Sequence, residues 1–99
     1  MILKYQTSTR TYGGPINITL DRLCNGITIK NSGNSICVFA DDPLQPGESK
    51  AIGGNKGEIL QGRYNVIFKP IASPPPGYVQ NDECVVTQKY YTEGQPGLQ

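Results

Sequence analysis

The chain has 99 residues, nine Lys and Arg against eight Asp and Glu, and a net charge of +1. That length fits one domain, and the lack of a basic block removes the electrostatic footprint that nucleic-acid binding needs. Histidine is absent, and with it the side chain best suited to proton transfer near neutral pH and the commonest metal ligand.

Residues 1–15 read as an N-terminal arm with a short strand at Ile2–Gln6, and Gly13-Gly14-Pro15 separates the arm from the next strand. Residues 1–14, like 93–99 at the other end, are expected to be removable without loss of the fold. A single β domain then spans 16–92, and 93–99 form a polar C-terminal tail. Ile16, Ile18 and Leu20 alternate with Asn17 and Thr19, the period of a half-buried strand. Asn25-Gly26 is a strong hairpin signal, because a type I′ turn needs positive φ at both central residues. With that turn, Cys24 pairs with Ile27 and Arg22 with Ile29. Ile16, Ile18, Leu20, Cys24, Ile27 and Ile29 then share one apolar face. A second loop at Asn31-Ser32-Gly33-Asn34 sets Ile29 opposite Ile36 and Ile27 opposite Val38, which predicts a three-stranded meander.

Ile36-Cys37-Val38-Phe39-Ala40 is apolar on both sides. Either both faces are covered within the domain, or Cys37 and Phe39 meet a partner subunit. Asp41 to Ser49 reads as a loop, with a type II turn at Pro46-Gly47. Lys50-Ala51-Ile52 is a short strand, Gly53 to Gly57 a wide turn, and Glu58-Ile59-Leu60 another short strand. Arg63–Lys69 is a stronger one, with Tyr64, Val66 and Phe68 on one face. Pro74-Pro75-Pro76-Gly77 marks a stiff exposed loop. Cys84–Thr92 is the last strand, with Val85 and Thr87 on the face opposite Cys84 and Val86. No amphipathic helix is evident. The fold class expected is all-β, an antiparallel β-sandwich or jelly-roll-like barrel with extended N- and C-terminal arms.

No constellation of residues points to catalysis. Gly53-Gly54-Asn55-Lys56-Gly57 lacks the order of a phosphate-binding loop and precedes no helix. Asp41, Asp42 and Glu48 fall short of the about six to eight oxygens that calcium takes. A nucleophilic Ser or Cys would need a lysine base, and no Ser-x-x-Lys motif opens a helix. Cys24, Cys37 and Cys84 are odd in number and far from metal-binding spacings. They read as small buried hydrophobes in reduced protein, with one cross-strand disulfide as the alternative. The chain is accordingly expected to be no enzyme and to use no cofactor or metal. The N-terminus lacks the apolar stretch of a signal peptide, and no apolar run reaches the ~18–20 residues of a membrane span. Synthesis in a cytoplasm is the expectation.

Six tyrosines remain. A tyrosine buries a large ring while keeping a polar tip, which suits interfaces. Tyr64 reads as core, whereas Tyr78, Tyr90, Tyr91, Tyr5 and Tyr12 are contact candidates beside Cys37 and Phe39.

The stretch Ile27-Thr28-Ile29-Lys30-Asn31-Ser32-Gly33-Asn34, the loop Pro43-Leu44-Gln45-Pro46-Gly47-Glu48-Ser49 and the strand Gly62 to Phe68 together resemble a pattern in bacteriophage virion proteins. There a strand ending in Asn-x-Gly leads to a Pro-Leu-x-Pro-Gly-Glu loop and a later amphipathic strand. The resemblance covers about 40 of the 99 residues. It implies a small capsid-associated structural protein: a decoration or cement subunit, a vertex protein, or a spike or fibre base. Its expected partners are other virion proteins, either the major capsid protein or copies of itself in a homo-oligomer. The expected location is the virion, assembled in the host cytoplasm. The alternative is a small carbohydrate- or receptor-binding module that uses loops 41–49 and 70–78 with Tyr78.

Overall fold

A computed structural model describes residues 4–20 and 23–92. The expected pairing of Arg22, the start of the Ile2–Gln6 strand and the tail 93–99 lie outside the described residues. Within them are eight strands: β1 (Lys4–Tyr12), β2 (Ile16–Ile18), β3 (Cys24–Asn31), β4 (Ile36–Phe39), β5 (Asp42–Leu44), β6 (Ser49–Gly53), β7 (Tyr64–Lys69) and β8 (Cys84–Thr92). They form two four-stranded sheets, ordered β1-β8-β3-β6 and β2-β7-β4-β5, and every pairing is antiparallel. The pairs are nested: β1 with β8, β2 with β7, β3 with β6, β4 with β5. Such nesting results when one long ribbon, folded back at its β4–β5 tip, wraps into two layers. This is a jelly-roll sandwich.

At the tip, Ala40 and Asp41 have φ of 50° and 68°, and Phe39 faces Asp42 across them. That geometry is a two-residue type I′ hairpin. The stretch 41–49 is therefore not a single loop, since it contains all of β5. Asn25-Gly26, by contrast, is no turn at all. It lies inside β3, and the β3–β8 register slips between Cys24 and Gly26, leaving Asn25 as the extra residue of a bulge. The three-stranded meander is corrected with it: β2 pairs with β7, and β3 and β4 belong to different sheets. Ile29 does not face Ile36, nor Ile27 Val38.

The core fills the space between the sheets. Ile27, Ile29, Cys84 and Val86 come from one sheet, and Ile18, Cys37, Phe39, Leu44 and Val66 from the other. Burial of each large aliphatic or aromatic side chain contributes about 1.5–3 kcal/mol relative to exposure. In β4 the inward residues are Cys37 and Phe39, with Ile36 and Val38 only partly buried. Phase in β7 and β8 is as expected. Val66 is buried between partly buried Tyr64 and Phe68, and Cys84 and Val86 are buried where Val85 and Thr87 are not. Glu58-Ile59-Leu60 is not a strand. The Leu60 N–H instead donates to the Cys24 carbonyl at 2.7 Å, fastening that segment beside β3.

The N-terminal segment pairs with β8 along nine successive positions, from Lys4 opposite Thr92 to Tyr12 opposite Cys84. Residues 4–12 are thus a full strand of the β1-β8-β3-β6 sheet. Removing residues 1–14 would strip β8 of a neighbour, so the expectation of an intact truncated fold is replaced by one of destabilisation.

Candidate contact surface at the β1 edge

The four sheet edges differ sharply in what they present. β2 and β5 have three residues each, and β5 carries Pro43 at its centre. β6 has five and ends in Gly53, whose φ is 78°. β1 has nine residues and contains neither Pro nor Gly. Natural edges are blunted by shortness, proline, bulges or charge. Of these devices β1 has only Lys4 and Arg10.

Side chains of β1 and β8 alternate in step. Tyr12, Arg10, Ser8 and Gln6 lie opposite Cys84, Val86, Gln88 and Tyr90 and share their face, the one turned towards the other sheet. Thr11, Thr9, Thr7 and Tyr5 share the outer face with Val85, Thr87, Lys89 and Tyr91. On that outer face the Tyr5 and Tyr91 rings are 4.7 Å apart and tilted by 35°, and Lys89 Nζ sits 3.9 Å from the Tyr5 ring centre. The Tyr5 hydroxyl donates to Tyr91 at 3.3 Å, and this bond is the main cause that raises the Tyr5 phenol above its ordinary pKa. Tyr91 is buried; its oxygen accepts the Gly57 N–H at 2.6 Å and fastens the 54–60 segment to β8. Tyr90, half-buried, donates to Gln6 Oε1 at 3.1 Å.

Under β1, between the two sheets, is a cleft of about 300 Å³ lined by Arg10, Tyr12, Ile16, Asn17, Thr19 and Gln88. Gln88 Nε2 donates to the Thr19 carbonyl at 3.1 Å and closes its floor. The polar side chains there are a guanidinium, two amides, a phenol and the Thr19 hydroxyl, with no carboxylate, thiol or amine among them. The cleft can hydrogen-bond a ligand, but its lining sets no general base beside the Thr19 or Tyr12 hydroxyl.

The expected contact residues therefore divide. Tyr5, Tyr12 and Tyr90 stand on the β1–β8 ribbon, exposed or half-buried, and buried Tyr91 packs against Tyr5 alone of the three. Cys37 and Phe39 are corrected: both are fully buried between the sheets and face no partner. Cys37 donates to the sulfur of Cys84 across the core; that bond and burial raise its pKa, while accepting it lowers that of Cys84. All three cysteines are buried thiols, none of them in a disulfide. Tyr78 is half-buried and fixed, its hydroxyl bonded to Asn34. Arg10, Asn17 and Gln88 carry no signal in the sequence, because only the β1–β8 pairing brings residues so far apart to one cleft.

The acidic residues considered for calcium are used locally. Asp42 pairs with Lys50, and Glu48 accepts the Gln45 N–H at 2.7 Å. Among the described residues no group of three or more His, Cys, Asp or Glu is placed to hold a metal ion, and no helix is long and apolar enough to cross a membrane. Compared with known proteins, the chain matches no family model, no curated protein and no solved structure.

Proposed function

We propose that this chain is a non-enzymatic virion structural protein of a bacteriophage, a small capsid-associated subunit of decoration, vertex or spike-base type. Its action would be burial of surface against other virion proteins, the major capsid protein or copies of itself. The observation that carries this reading is the nine-residue β1 edge without Pro, Gly or a bulge, since so long an edge, blunted only by Lys4 and Arg10, is a liability unless a neighbour covers it. The resemblance over residues 27–68 supports it from a separate part of the chain. The test is to purify particles made by the genome that encodes the chain and quantify the chain against the major capsid protein. A fixed ratio that survives gradient purification supports the reading; complete loss to the soluble fraction contradicts it.

One observation favours a second reading, a carbohydrate- or receptor-binding module. The polar cleft between β1 and β2 is the size of a small ligand, and it suits a sugar better than loops 41–49 and 70–78 do. On that reading Arg10→Ala abolishes glycan-array binding while Tyr78→Phe does not.

A further inference from the structure

We propose that the β1 edge pairs with the same edge of a second copy about a two-fold axis at Ser8, making one continuous eight-stranded sheet. This rests on the structural-subunit reading and names its partner. An antiparallel edge is self-complementary under a two-fold rotation, which gives a closed, isologous contact. Main-chain hydrogen bonds supply the attraction, as in strand addition, and side chains set the register.

Charge selects one register. With the axis at Ser8, all nine residues of β1 find partners: Lys4 faces Tyr12 of the second copy, Tyr5 faces Thr11, Gln6 faces Arg10, and Thr7 faces Thr9. No like charges meet. Moving the axis to Thr7 sets Lys4 against Arg10 twice, and moving it to Arg10 sets that residue against itself; like charges directly opposite destabilise a sheet. An axis at Thr9 avoids repulsion but leaves Lys4 and Tyr5 unpaired. The remaining edges are shorter, and one is interrupted by Pro43.

Sedimentation across a concentration series at low salt tests this with two variants of exposed Gln6. The wild-type chain is expected to dimerise. Gln6→Lys, which places a cation opposite Arg10 of the second copy, weakens the dimer roughly three- to thirtyfold. Gln6→Glu tightens it by a similar factor, and the gain fades with added salt. Thermal melting of both variants at a dilution where only monomer exists controls for fold. A chain that stays monomeric at every concentration overturns the inference, and so does a dimer that neither variant moves. Neither result touches the virion reading, which stands or falls on the chain's presence in purified particles.

Discussion

Tyr78 donates its hydroxyl to the Asn34 carbonyl at 2.7 Å, with Asn34 Oδ1 at 3.1 Å. Asn34 in turn accepts the Asn81 N–H on Oδ1 and donates to the Val79 carbonyl. The proline loop is thereby tied to the β3–β4 crossover. Tyr78 is thus a brace, and Tyr78→Phe should cost about 1–2 kcal/mol. Urea unfolding monitored by circular dichroism checks this, with earlier proteolysis within 70–80 as the accompanying sign.

The same crossover depends on Gly33. A Cβ there would lie 2.2 Å from the Asn81 carbonyl oxygen and 2.7 Å from the Glu83 nitrogen. The Ser32 and Gly33 N–H groups both donate to Glu83 O, so the loops cannot part without losing those bonds. Gly33→Ala should destabilise by about 3 kcal/mol or more. Gly14→Ala, with nothing within 4 Å of its Cβ, should change stability by under about 0.5 kcal/mol. Thermal melts of the two variants side by side give the comparison.

Asn25 is fully buried and donates from Nδ2 to the Asn55 and Glu58 carbonyls at 2.7 and 2.9 Å. Its own carbonyl accepts the Gly54 N–H at 2.9 Å. Asn25→Ala removes those two side-chain bonds and a longer one to the Tyr91 hydroxyl at 3.4 Å, and should cost about 2–3 kcal/mol. Amides of 54–60 should exchange faster in the variant while β7 and β8 keep their protection.

The raised Tyr5 pKa has a sign that can be measured. Because the folded-state value lies above the unfolded one, the stabilisation is fully present below the ordinary phenol pKa of about 10. It is lost as pH rises through the raised value. Ultraviolet titration should show a late-ionising step that Tyr5→Phe removes, and that variant should melt slightly lower than wild type at neutral pH, the difference shrinking as pH rises through the raised value.

The strands were more legible than their partners. Alternation located β7, β8 and the 27–31 part of β3, and it set the phase of β7 and β8, where Asn65 and Lys69, and Thr87 and Lys89, fall on the face opposite Val66 and Val86. It could not set the phase of β4, where Ile36, Cys37, Val38 and Phe39 are all apolar, and so Cys37 and Phe39 looked free to face outward. Turn chemistry misled at two places for opposite reasons. Asn25-Gly26 carries hairpin residues but uses them elsewhere: the amide holds the 55–58 backbone, and a Cβ at Gly26 would crowd Gly54, lying 3.0 Å from its nitrogen. Ala40-Asp41 forms the real hairpin with an alanine at positive φ, which no local signal announces. The β1–β8 pairing was illegible because it joins residues such as Tyr5 and Tyr91 from opposite ends of the sequence. The contact edge and the cleft beneath it both depend on that pairing.

Hydrogen exchange of β1, compared between the free chain at high dilution and the chain bound in purified particles, tests the central claim most directly. β1 amides that point away from β8 are predicted to slow on the order of tenfold or more in the particle, while 70–80 stays unchanged. Equal exchange of β1 in both states, with new protection confined to the loops, would contradict it.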